Sequence, residues 1–273
     1  MKLAQITIIR VCVLIATSVT TTVSQTFVSA DVVANGGCPS LSNPSSTAMI
    51  AIPGLVATNS GYLFDIGWER KFQLKELDRM YLSTSMTTSF GSMSVGFDQF
   101  GLTDLYSEKT ARLTLSHSFG NVGGGILLEG SQVSFARGYQ SLSKASVGCG
   151  ISASFSKLAF AIAGYDLNSP SYDSHSPATP RNGRIYAEYS GANRATASAY
   201  LGVTEKSKPQ FGFGQRLSIS ESADLLFGAE TLPTEYSAGL LFSHGKSLFS
   251  YAATYHADLG ISHLMSIGFG LGH

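Results

Sequence analysis

The decapeptide Gly61–Arg70, GYLFDIGWER, sets Tyr62, Phe64, Ile66 and Trp68 against Leu63, Asp65, Gly67 and Glu69. Successive side chains on a strand point to opposite faces, so this spelling yields one bulky apolar face and one small or charged face. The same phrase closes the chain, where Met265, Ile267, Phe269 and Leu271 alternate with Ser266, Gly268, Gly270 and Gly272. In a soluble sheet the apolar face covers a core and the other face carries enough charge to meet water. Here charged residues make up only 13% of the chain, against roughly 25% in soluble domains. The pattern predicts a barrel turned inside out, with lipid against the bulky face and water or a ligand against the small one.

Outward from that decapeptide, fourteen strands are expected, with twelve as the alternative count. They begin near Gly61, Arg79, Gly91, Thr110, Val122, Ala145, Lys157, Gly183, Ala195, Gln210, Ala223, Glu235, Ser247 and Ile261. The room per strand and connection accommodates the roughly nine to eleven residues that a tilted spanning strand needs. Even-numbered connections read as tight turns, for instance Ser89-Phe90, Gly120-Asn121 and His244-Gly245. Odd-numbered ones read as longer in every case, the longest over residues 167–182. Short turns on one side and longer loops on the other are what an outer-membrane barrel shows.

Charge placement tests the pattern, because a charge facing lipid at mid-depth costs roughly 2–4 kcal/mol. By parity with the bulky residues, Asp65, Glu69, Asp98, Arg112, Glu129, Arg184, Glu188 and Arg216 all fall on the small-residue face. They are the expected lumen-lining charges, able to line a passage, to hold a plug or simply to satisfy one another. Tyr62, Trp68, Tyr81, Phe90, Phe119, Tyr165, Tyr189 and Tyr255 lie near strand ends, where aromatic girdles are expected. The glycines of Val122-Gly123-Gly124-Gly125 read as relief of crowding or a bend.

The ends of the chain set the compartment. Residues 1–30 read as a secretory signal, with Lys2 and Arg10, an apolar run over residues 11–23 and a small-residue cleavage site at Val28-Ser29-Ala30. No later run is apolar and long enough for a membrane helix, which needs about 18–20 residues, so the expected location is a Gram-negative-type outer membrane. Residues 31–60 do not alternate and are rich in Ser, Gly, Pro and Ala. Their small side chains suit packing inside a lumen as a plug, with Asn43, Pro44, Ser45 and Ser46 at its centre; a disordered periplasmic tail is the alternative. Cys38 and Cys149 could pair in an oxidising compartment, though two unpaired thiols are the simpler expectation.

The chemistry that is missing narrows the function. A net charge of zero offers no basic stripe for nucleic acid. There is no metal-ligand spacing, no acidic calcium loop and no nucleophile elbow, so no cofactor, metal or catalytic residue is expected. Ser116, His117 and His256 are the only suggestion of a barrel-based lipid hydrolase, and serine is too frequent here to make one informative. His244-Gly245-Lys246-Ser247 ends like a phosphate loop but sits at a hairpin with no helix after it.

Residues 61–101 and the tail YHADLGISHLMSIGFG over residues 255–270 resemble outer-membrane proteins of the PorV/PorQ type, common in Bacteroidetes and Chlorobi, within the broader FadL-like superfamily. Asn43-Pro44 stands where that superfamily's NPA-type hatch motif would lie, with Ser45 in place of its alanine. The resemblance implies a fourteen-stranded barrel with an N-terminal hatch, and membrane lipid as its surroundings. It implies one of two roles: passage of hydrophobic small molecules, as in FadL relatives, or a non-enzymatic part in secretion and surface attachment with envelope proteins, as in PorV relatives. A soluble exported β-protein that binds an apolar ligand is the third class.

Overall fold

A computed structural model describes residues 28–57, 61–102, 105–135, 141–174, 176–191, 194–205 and 207–272. Fourteen antiparallel strands form one closed barrel: β1 (Gly61–Arg70), β2 (Asp78–Thr88), β3 (Gly91–Leu102), β4 (Tyr106–Phe119), β5 (Val122–Phe135), β6 (Leu142–Phe155) and β7 (Leu158–Tyr165), then β8 (Asn182–Ser190), β9 (Ala195–Thr204), β10 (Gln210–Ser218), β11 (Ala223–Thr231), β12 (Thr234–His244), β13 (Ser247–His256) and β14 (Gly260–Gly272). Each strand pairs with its neighbour in sequence, and β1 pairs with β14 to close the wall. Closure removes every unpaired sheet edge, which a lipid environment requires. No ladder carries a bulge; even the triple glycine of β5 pairs in regular register with His117 and Ile151 on either side.

The alternation of β1 reappears as alternating exposure. Tyr62, Phe64 and Ile66 are exposed on the outside, while Asp65 and Gly67 are buried inside. The outward bulky residues of all fourteen strands together make a continuous apolar belt. Observed strand starts fall within four residues of those expected from sequence. The largest differences are β4, which begins at Tyr106, and β6, which begins at Leu142, because polar residues taken for loop continue the ladder.

The strict short–long alternation of connections does not hold. All six turns at one end are four residues or fewer, but at the other end β11 and β12 are joined by Leu232-Pro233 alone. Glu230↔Glu235 and Thr231↔Thr234 pair across that hairpin, so residues polar enough to read as loop are strand. Tyr81 and Tyr165, expected in the outer girdle, face inward instead, sharing parity with Ser83 and Ala163. Phe90, Phe119, Tyr189 and Tyr255 do lie outside.

Residues 28–57 lie within the barrel. They contain two short helices, α1 (Ala30–Ala34) and α2 (Ser46–Ala51). Ser45 caps α2, its hydroxyl accepting from the Ala48 amide, as a serine at that position commonly does. The signal expected over residues 1–30 lies outside the described residues except for its last three. Of these, Ser29 accepts from Val33 N at 3.1 Å and from Thr47 Oγ1 at 2.9 Å, and Ala30 N donates to Ser266 Oγ. Cleavage after Ala30 would remove those contacts.

Cys38 is buried in the lumen and Cys149 is exposed on the outer face of β6, so the wall itself keeps them apart and both are free thiols.

Candidate functional site

The lumen is the concave region on which the sequence concentrates polar groups, and the described residues stratify it. At the loop end, Asp166 is buried and accepts from Ser146 Oγ at 2.8 Å and from Asn182 Nδ2 at 3.1 Å, with Lys144 Nζ 3.9 Å away. Lys144 also donates to Thr179 Oγ1 and lies over the ring of Tyr172. These bonds tie the long β7–β8 connection, residues 166–181, down onto β6 and β8. Burial, with Glu108 and Glu129 nearby, pushes the Tyr172 hydroxyl up to about 12, so the ring meets Lys144 as a neutral phenol.

Below that, charges face each other across neighbouring strands. Arg112 on β4 donates to Glu129 on β5 at 2.7 Å, and Ser131 Oγ donates to the other oxygen of Glu129 at 3.0 Å. Asp98 pairs with Arg79, and Arg216 with Asp224. Asp65 accepts from Tyr81 Oη at 3.0 Å. Glu69 lies 3.9 Å from Lys71. Arg184 sits over the Tyr200 ring, whose hydroxyl donates to Glu230 at 2.7 Å.

All eight charges expected on the small-residue face therefore point into the lumen, but only Arg112 and Glu129 pair with each other. Arg79, Asp224, Glu230 and the inward tyrosines supply most of the other partners. The sequence carried a signal for each in its parity. It could not show who meets whom, because cross-strand partners depend on a register set by the whole ladder.

Glu188 behaves differently. It is 2% exposed, and its carboxylate accepts from Leu41 N at 2.9 Å, Ser42 N at 3.0 Å and Ser42 Oγ. A carboxylate gathering backbone donors in a desolvated site makes some of the stronger hydrogen bonds proteins offer. Of the central residues, Asn43 is exposed and its amide bonds Ser40 Oγ, Pro44 is buried, and Ser46 meets Ser83 of β2 at 2.6 Å. Further wall hydroxyls reach the same segment: Thr114 donates to Ile50 O at 3.1 Å, Tyr165 to Ala51 O, Ser152 to Gly54 O and Ser237 to Ala34 O, while Ser116 accepts from Gly54 N.

Wall glycines complete the fit. Gly36 (φ +61°) and Gly54 (φ +98°) turn in the left-handed region that favours glycine. Each turn lies against glycines of the wall: a Cβ at Gly228 would overlap the Gly36 amide, and one at Gly123 the Gly54 carbonyl. Gly123 and Gly125 of β5 thus admit the Gly54 backbone, and the strand runs through them without a bend. Between these polar contacts the segment is greasy. Leu41, Ile52 and Leu55 pack with inward Leu127, Ala161 and Tyr186, and Ile50 with Tyr81, Leu226, Leu241 and Leu264.

Catalytic assembly is lacking among the described residues. Ser116 points inward and is bound to Gly54, whereas His117 is exposed on the other face and His256 lies at the opposite end of the barrel. Nor does any group of three or more His, Cys, Asp or Glu among the described residues come together as a metal site.

No family model and no curated protein matches the chain. Solved structures do. The toluene transporter TbuX of Ralstonia pickettii aligns over 92% of this chain and 100% of its own, with a TM-score of 0.63 at 8% identity. The toluene transporter TodX of Pseudomonas putida covers the same shares, with a TM-score of 0.64 at 8% identity. The outer-membrane protein Omp33 of Acinetobacter baumannii aligns over 77% of this chain and 98% of its own, with a TM-score of 0.52 at 4% identity. The chain shares the closed-barrel fold of these proteins. At such identities the likeness is one of fold alone.

Proposed function

We propose that the protein is an outer-membrane barrel that binds or passes hydrophobic small molecules, with residues 31–57 as a plug. The observation that carries this reading is the inner apolar band. Inward Leu127, Ala161, Tyr186, Leu226, Leu241 and Leu264 form a surface that a water-filled pore would not present. The segment that covers this band rests on hydrogen bonds to side chains of the wall, so its movement would uncover an apolar route without opening the ladder. Solved transporters of toluene with the same fold support the reading.

Ligand enters beneath the connection at residues 166–181 and moves past residues 43–46. Deleting residues 31–57 tests it: single-channel conductance in planar bilayers and toluene uptake by expressing cells both rise. Unchanged conductance and uptake would sink the plug. Neither the fold nor the comparisons favour a PorV-type role in secretion; that reading requires a stable complex with other envelope proteins. Extraction without detergent would support the soluble alternative, which the outward apolar belt opposes.

A further inference from the structure

The outer surface of the barrel is not uniformly bulky. Across β2 to β6 one outward row runs Leu82, Phe97, Ala111, Gly130 and Ala145 in direct register. Three neighbouring strands thus present a methyl group or nothing to the lipid, while the row below, Val95, Leu113, Leu128 and Val147, is bulky again. The result is an indentation of about 860 Å³, walled on its far side by Ile66, Met80 and Met265.

The row above changes chemistry: Gln99, Lys109, Gln132 and Ser143 lie side by side, all outward and exposed. Lys109 is ten residues along β4 from the turn-side residue Phe119, about the length of strand that crosses a bilayer. This polar row therefore stands at headgroup level. Lys109 makes no ion pair with any described residue.

We propose that this indentation holds the acyl chain of a phosphate-bearing membrane lipid, with its headgroup on Lys109. The shape favours a chain over a second copy of the barrel, because a dimer about a two-fold axis would set two hollows against each other and fill neither. A lysine ammonium serves as a point charge for phosphate, and amide groups at Gln99 and Gln132 offer further donors. The ladders beneath the indentation are unbroken, so the lipid stays outside the wall and does not mark a route into the lumen. The site rests on the membrane placement of the belt.

The test is lipid retention by the full-length barrel purified in mild detergent, read as phospholipid per protein by mass spectrometry. Gly130→Leu fills the floor, where an added Cβ meets nothing within 4 Å; Lys109→Glu reverses the head contact. Gly124→Leu, equally open but outside the indentation, is the control. Wild type and the control retain one lipid, and each of the other two retains about fivefold less. Heat-modifiable gel migration, which reports the barrel itself, is the same for all four. Equal retention in either groove variant overturns the proposal. So does light scattering that finds a wild-type dimer which Gly130→Leu converts to a monomer.

Discussion

The wall and the segment inside it are held by different bonds. In the wall, backbone pairs with backbone in fourteen unbroken ladders, and side chains decide only which face meets lipid. In residues 28–57, most links to the wall run from one side's side chain to the other's backbone: Glu188 to two amides, Thr114, Ser152 and Ser237 to carbonyls. A ladder gives way only by losing many bonds together. A set of side-chain latches can be released locally, one after another. On the proposed reading, the same chain carries a rigid container and a separable filling.

Substitutions that strike one region and spare the other put this contrast at risk. Glu188→Ala should have the largest effect. It strands the Leu41 and Ser42 amides, and each lost charge-assisted bond costs about 1.5–3 kcal/mol. Proteinase K should then cut residues 28–57 at least about tenfold faster, while heat-modifiable migration persists. If the wall melts with the segment, the two are one cooperative unit. Leu128→Arg tests the converse. An arginine on the lipid face near mid-depth should cost the wall about 2–4 kcal/mol in denaturant unfolding, with protection of the segment unchanged below the transition. Ser116→Ala, which removes the acceptor for Gly54 N, should be smallest, about 1 kcal/mol, and visible only as a modest rise in cleavage near residue 54.

Legibility followed the same division. Strand number, the inside and outside of each strand and the inward charges could all be read, because alternation is a local code that lipid enforces at every step. Tyr81 and Tyr165 were misplaced for a specific reason: an aromatic near a strand end fits a girdle, yet parity, the stronger rule, sends both inward. The partners Arg79–Asp98 and Arg216–Asp224 were beyond reach, since they depend on register. So was the role of the glycines. Nothing near Gly123 in sequence announces Gly54, almost seventy residues upstream, as the backbone it must admit. Asn43-Pro44-Ser45-Ser46 lie within the segment that packs inside the barrel, but Glu188, whose carboxylate accepts three hydrogen bonds from that segment, stood in the sequence only as one inward charge among eight.

Cys38 and Cys149, separated by the thickness of the wall, amount to a pair of built-in reporters. Burial pushes the Cys38 thiol well above its ordinary range, so it is shielded from alkylation for as long as residues 28–57 stay seated. Cys149 is open to any maleimide that dissolves in a bilayer. The ratio of the two labelling rates would count, in native membranes and without mutation, how often the filling leaves its container.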